Sequence, residues 1–185
     1  MKTIIKIIIA SSIIYNFGIA LFGPLYAIFV EGIGGSILDA SGAYTVYVLV
    51  TGILLIIFGR FEDRLKNKES ILILGLSVIT LGNAGYIFIT TPLHLFIVQL
   101  ILGIGAAIMI PAWDATFSTH LDRRREAWEW SLWEGMWRIA AAIGALAGGF
   151  VATYFGFKIL VTLMAIFSAF STLLIYIHFK RERAL

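Results

Sequence analysis

The sequence of 185 residues contains no cysteine, only three prolines and few charged residues. Without cysteine the chain has no disulfide, no thiolate metal site and no thiol nucleophile. Charged residues make up 14% and hydrophobic residues 60% of the chain, with a mean hydropathy of +0.95. A soluble domain has about 25% charged residues, and a disordered chain has few apolar ones. Both classes are therefore excluded, and the composition indicates a polytopic membrane protein.

Long apolar runs account for almost the whole chain. A membrane-spanning helix requires about 20 mostly apolar residues, and six stretches are close to or above that length. We predict helices over residues 4–30, 44–60, 71–89, 93–118, 128–155 and 159–179. The first run is longer than the apolar region of a secretory signal, so we expect it to be retained. The sequence therefore predicts an all-α protein that forms one six-helix transmembrane domain over residues 1–185.

Basic residues are concentrated on one side of these predicted helices. Of the 14 Lys and Arg residues, 12 lie at the two termini and in the second–third and fourth–fifth connections. The other two are Lys158, in a connection on the opposite side, and Arg138, inside a predicted helix. Lys and Arg are enriched in cytoplasmic loops. The pattern predicts an integral protein of the cytoplasmic membrane with both termini in the cytoplasm.

The connection after the second predicted helix carries a spaced set of charged residues. Gly59 is followed four residues later by Asp63 and Arg64, and then by Lys68. This spacing resembles the signature loop of the major facilitator superfamily. The resemblance implies that Asp63 and Arg64 latch neighbouring helix ends together in one conformation. A carboxylate–arginine pair at the membrane boundary suits that role because it can be broken at modest cost.

The fifth predicted helix extends the resemblance. Residues 144–149 read Gly-Ala-Leu-Ala-Gly-Gly, similar to a glycine-rich motif of the family's exporters, with Ala145 where the family has proline. Gly103, Gly105 and Pro111 resemble its fourth helix. The resemblance covers the chain in the family's order and implies a six-helix half bundle, built as a three-plus-three inverted repeat, of a secondary transporter.

Three ionisable residues lie inside predicted helices: Asp114, Glu134 and Arg138. The two carboxylates lie nine residues from the basic connection between their helices, which is roughly 13 Å along a helix. Arg138 follows Glu134 by one turn on the same face. Because charges in hydrocarbon need a partner or a water-filled cavity, we expect a carboxylate–guanidinium–carboxylate cluster. It is either a structural ion network or part of a cavity that binds a substrate or a coupling proton.

Five further side chains are candidates for the wall of that cavity: Tyr15, Asn16, Gln99, Trp133 and Trp137. The first three can form hydrogen bonds with a substrate, although such groups also bridge helices. The two tryptophans lie deeper than an interfacial aromatic belt. The histidines lack metal-ligand spacing, and no set of catalytic side chains is present. We therefore expect no metal, no cofactor, no nucleic-acid partner and no enzyme activity.

A single six-helix half is expected to need a partner, because the resemblance implies two halves around a central site. Two copies related by a two-fold axis along the membrane normal are the simplest solution. Gly144 and Gly148, with Ala145 and Gly149, allow close helix approach. We expect them to contact the side of a second copy that carries Gly52, the alternative being packing within one bundle.

Together these features predict a half-transporter that forms a homodimer in the lipid bilayer and moves a small solute by alternating access. The acidic and aromatic candidates favour proton-coupled export, or antiport, of a cationic or amphipathic compound. Three alternatives stay open. The chain could pair with a different half, be an inactive half of a longer transporter, or act as a membrane scaffold or regulatory subunit that does not transport.

Overall fold

The computed structural model describes residues 1–62 and 67–182, apart from the side chains of residues 60–62 and 182. Helices occupy most of it: α1 Thr3–Phe22, α2 Tyr26–Gly32, α3 Ile37–Glu62, α4 Lys68–Gly85, α5 Pro92–His120 and α6 Glu126–Glu182, with short 3-10 turns at Gly23–Leu25 and Tyr86–Phe88. Of the predicted latch, Gly59 lies in α3 and Lys68 begins α4. Asp63 and Arg64 lie outside the described residues.

The helix that follows the first connection begins earlier than predicted. The backbone N–H and the hydroxyl of Ser36 each donate to an Asp39 carboxylate oxygen at 2.7 Å, and the Asp39 N–H donates to the Ser36 hydroxyl at 3.2 Å. This reciprocal cap satisfies N–H groups that a helix start leaves unpaired. It starts α3 at Ile37 instead of near residue 44, and it places Asp39 in the first turn of that helix.

Five helical stretches of the described chain are long and apolar enough to span a membrane. The last of them, Glu126–Arg181, contains both the fifth and the sixth predicted helix. Its backbone leaves helical geometry at Gly156, where φ is 79° and ψ is 168°. This left-handed region of φ is favourable for glycine because it has no Cβ. We call the parts of α6 on either side of Gly156 segment 126–155 and segment 157–182.

The two segments of α6 run along α1 in opposite directions. The contacting pairs are Ser12–Trp133 and Leu21–Gly148 for segment 126–155, and Ser11–Ser171 and Phe17–Phe167 for segment 157–182. In the first set, a higher residue number in α1 pairs with a higher number in segment 126–155. In the second set, a higher number in α1 pairs with a lower number in segment 157–182. The chain therefore reverses at Gly156, and α1 packs between two antiparallel helical segments.

Gly144 and Gly148 allow segment 126–155 to lie against the backbone of α1. A Cβ on Gly144 would lie 2.5 Å from an α1 carbonyl oxygen, and one on Gly148 would collide with another. The prediction that these two glycines contact a second copy is therefore wrong, because α1 of the same chain covers them. Gly52 and Gly149 have open space where a Cβ would stand, and Ala145 is half-buried.

Small hydroxyl side chains join the helices inside the bundle. The hydroxyl groups of Ser11 and Ser171 lie 2.7 Å apart, and the Asn83 amide donates to the Ser168 hydroxyl at 3.1 Å. All four side chains are almost completely buried. Because apolar burial does not favour helix association within lipid, such close polar contacts stabilise the packing.

The start of α1 lies beside the connection 121–125, at what we call the basic end of the bundle. The Met1 ammonium lies 2.5 Å from an Asp122 carboxylate oxygen, and this hydrogen bond holds the pKa of Asp122 below its usual range. The buried Glu129 carboxylate accepts the Asp122 backbone N–H at 3.0 Å. At the other end, which we call the far end, Phe29 packs against Phe157 with ring centroids 5.7 Å apart.

Candidate binding cavities between the helices

An open cavity of about 340 Å³ lies between α1, α4, α5 and segment 126–155. We call it the carboxylate cavity. Its wall is formed by Ser12, Tyr15, Asn16, Leu76, Met109, Ile110, Trp113, Asp114, Trp133, Glu134 and Trp137. The structure thus brings together six of the eight cavity candidates, which are Tyr15, Asn16, Asp114, Trp133, Glu134 and Trp137. Of these six, Asp114 and Glu134 were placed near one another by their equal distance from the basic connection, which the sequence shows directly.

The two carboxylates of this cavity have different surroundings. Arg138 donates to one Glu134 oxygen from two nitrogens, at 2.6 and 3.1 Å, and its guanidinium lies 4.5 Å from the centre of the Trp137 ring. Asp114 forms no ion pair with any residue that the structure describes. The expected three-member cluster is therefore formed only in part, because the one-turn spacing holds Arg138 to Glu134 on its own helix.

Aromatic rings form part of the wall of the carboxylate cavity. The Trp133 indole N–H donates to the Ser12 hydroxyl at 2.8 Å, and its ring stacks on Trp113 with centroids 6.4 Å apart. Asn16 donates to the Ser12 carbonyl one turn back on the same helix, at 2.9 Å. These contacts fix the wall before any solute enters, which reduces the ordering cost of binding.

We expect Trp133 to hold segment 126–155 against α1 mainly through its ring. Trp133→Phe, which loses the hydrogen bond and part of the ring system, should lower the free energy of unfolding by at least ~1 kcal/mol, and Trp133→Ala, which removes the whole ring, by about 3–5 kcal/mol. Denaturant unfolding in detergent, followed by circular dichroism, measures both. Trp128→Ala is the control, because Trp128 is 64% exposed. Equal losses for Trp133→Ala and Trp128→Ala would contradict the assignment.

A second cavity, of about 310 Å³, lies nearer the far end. Gln99 belongs to this cavity and not to the first; it is buried, and its amide nitrogen donates to the Tyr26 and Tyr86 hydroxyls, each at 3.1 Å. Tyr44 and Tyr47 also line it, and Tyr15 lines both cavities. We call it the tyrosine cavity. Tyr15 is the lining residue that the two cavities share.

Most tyrosines of the second cavity and Trp113 of the first were missed by sequence reasoning. One signal was available for Tyr44 and Tyr47, because a spacing of three residues places both on one face of α3. No comparable signal marks Trp113 or Tyr86. An aromatic residue in an apolar span looks the same in the sequence whether it faces a cavity, a neighbouring helix or lipid.

The described helices include five stretches that are apolar and long enough to span a membrane, and the helices surround a cavity with two carboxylates. These features define an integral membrane protein of the all-α class. The sequence model of the Major Facilitator Superfamily matches residues 8–185. The chain belongs to this family, as the signature loop and the glycine motif of the fifth predicted helix indicated.

Several known proteins are similar to the chain over most of its length. It is 31% identical over 113 residues to the methylenomycin A resistance protein of Bacillus subtilis (strain 168), covering 60% of this chain and 24% of that protein. It is 23% identical over 137 residues to the proton-coupled antiporter flippase LtaA of Staphylococcus haemolyticus (strain JCSC1435), covering 71% of this chain and 33% of that protein. The chain thus spans about a third or less of the length of these curated relatives.

The fold is similar to that of a solved transporter. The crystal structure of the POT family transporter PepTSo superimposes with a TM-score of 0.81 at 14% identity, covering 96% of this chain and 37% of that one. At this identity the likeness shows the fold alone. It agrees with the coarse prediction of an all-α bundle of the transporter type.

Proposed function

We propose that two copies of this chain form a secondary transporter that moves a small solute across the cytoplasmic membrane by alternating access. The observation that carries the proposal is the carboxylate cavity, which Asp114 and Glu134 line together with aromatic side chains from three helices. A dedicated pair of ionisable groups at membrane depth is costly unless it serves binding or ion coupling. No described residue neutralises Asp114, which favours a solute cation or a proton as its partner.

The proposed membrane arrangement has six crossings in two three-helix repeats, with both termini cytoplasmic. The reversal at Gly156 supports the sixth crossing, since segments 126–155 and 157–182 run antiparallel along α1. The basic residues at 121–125 and at the two termini then fall on one side, as cytoplasmic loops require. Asp63 and Arg64 of the signature loop would act as the latch on that same side.

A second half is needed because polar groups lie on the open side of the bundle. Arg138 is 66% and Glu134 41% exposed, and lipid contact with such a pair would be costly. Because α1 covers Gly144 and Gly148, the second copy has to contact a different part of segment 126–155 from the one expected. We propose that the exposed face of segment 126–155 around Leu146 and Gly149 meets the exposed face of α3 around Gly52 and Ile53 of a second copy.

The proposed direction is proton-coupled export, in other words antiport, of a cationic or amphipathic compound. Two similar proteins support this by their names, one a resistance protein and the other a proton-coupled antiporter flippase. The alternatives are pairing with a different half and a scaffold or regulatory role without transport. Measurements of the oligomeric state and of solute flux distinguish these alternatives from the homodimeric transporter.

The absence of native cysteine makes crosslinking a clean test of the second copy. We expect Gly52→Cys combined with Gly149→Cys to form disulfide-linked dimers in lipid nanodiscs, because both positions have open space. Gly52→Cys combined with Leu81→Cys is the control, since Leu81, at 69% exposure, is more accessible than Gly149 and lies on α4, outside the proposed contact. Monomers without crosslinks in both variants would exclude the homodimer, and no flux by dimers in proteoliposomes would favour the scaffold.

A further inference from the structure

Five of the seven tyrosines line the tyrosine cavity: Tyr15, Tyr26, Tyr44, Tyr47 and Tyr86. They come from α1, α2, α3 and the turn after α4, so the convergence is a product of the fold and not of local sequence. Among the described residues that line this cavity, none is Asp, Glu, Lys, Arg or His. The wall is therefore rich in aromatic rings and free of formal charge.

The polar groups of this wall are phenol hydroxyls and amides without formal charge. Gln99 uses its amide nitrogen for the Tyr26 and Tyr86 hydroxyls, so both amide hydrogens are occupied. The Tyr26 hydroxyl in turn donates to the Ala40 carbonyl at 3.4 Å. What Gln99 has left to offer a ligand is its carbonyl oxygen. Carbonyl and hydroxyl oxygens together with ring faces attract positive charge, and the described residues of the wall include no Lys, Arg or His that would neutralise an anion.

We propose that the tyrosine cavity is a second binding site for an organic cation, such as a quaternary ammonium group, held by tyrosine ring faces. Aromatic cages without a counter-charge recognise such cations through cation–π attraction. The inference rests on the proposed transport function and extends it. Because Tyr15 lines both cavities, a cation that leaves Asp114 passes directly to a site that holds it without an ion pair. Release from a neutral site at the far end is then easier than release from a carboxylate.

A matched pair of probes separates charge from shape. Choline and 3,3-dimethylbutan-1-ol have the same outline and differ in the positive charge. Binding is measured by saturation-transfer NMR with the full chain in lipid nanodiscs, in the Asp114→Asn/Glu134→Gln background, which removes both carboxylates of the first cavity. We expect choline to bind at least about fivefold more tightly than the alcohol. Equal binding of the two probes, or loss of all choline binding in this background, would overturn the proposal.

Tyr44 supplies the variant that leaves the fold intact, because it is 57% exposed and lines the cavity. Tyr44→Leu removes the ring face and should weaken choline binding about fivefold, whereas Tyr44→Phe keeps the ring and should change it less than twofold. Equal losses in both variants would show that the hydroxyl is responsible and would overturn the cage. Choline binding without flux would refute transport alone, and Asp114-dependent flux without choline binding would refute the cage alone.

Discussion

Asp114→Asn is expected to lower proton-driven ethidium transport in proteoliposomes about thirtyfold. The carboxylate lines the cavity without an ion partner among the described residues, and in the proposed transporter it would supply the charge that a cation or a coupling proton requires. Losing a desolvated charge interaction costs about 2 kcal/mol or more, which corresponds to a factor of roughly thirty. Fluorescence of ethidium under an imposed pH gradient measures the change.

Glu31→Gln is the matched control for this prediction. It removes the same charge from an exposed position at the end of α2, outside both cavities, and should leave transport unchanged. Glu134→Gln should have an intermediate effect, because Arg138 already pairs with Glu134 at 2.6 Å. Transport that stayed fully pH-dependent in both Asp114→Asn and Glu134→Gln would rule out proton coupling through these carboxylates.

Gly148→Ala is expected to destabilise the bundle by about 1–3 kcal/mol, the range for overpacking a close contact. The added methyl group would collide with the Leu21 carbonyl on α1, and backbone atoms cannot rotate away as a side chain can. The helices would have to separate along the contact that joins segment 126–155 to α1. The midpoint of thermal or denaturant unfolding in detergent measures the loss.

The neighbouring glycine provides the control. Gly149→Ala adds the same methyl group where nothing lies within 4 Å, and alanine favours helix over glycine by up to about 1 kcal/mol. Its stability should therefore be unchanged or higher in detergent. If Gly148→Ala and Gly149→Ala behaved alike, segment 126–155 would not pack against α1 through Gly148.

Much of the candidate site could be predicted because helix geometry converts spacing into position. Asp114 and Glu134 were placed at equal depth from the basic connection, and they line one cavity. Gln99 was grouped with them by residue type, yet it lies in the other cavity. Depth follows from the rise per residue, whereas the direction of a polar group also depends on which helix packs beside it.

The sequence by itself determined the membrane class, the family and the equal distance of Asp114 and Glu134 from the basic connection, since composition and local spacing carry that information. Only the tertiary structure decided which side chains and helices contact one another. It assigned Arg138 to Glu134 instead of Asp114 and turned Gly144 and Gly148 towards α1. It also gathered five tyrosines from distant parts of the chain around one cavity. A helical repeat fixes a residue's face relative to its own axis, but the neighbour that covers that face is chosen by packing across the bundle.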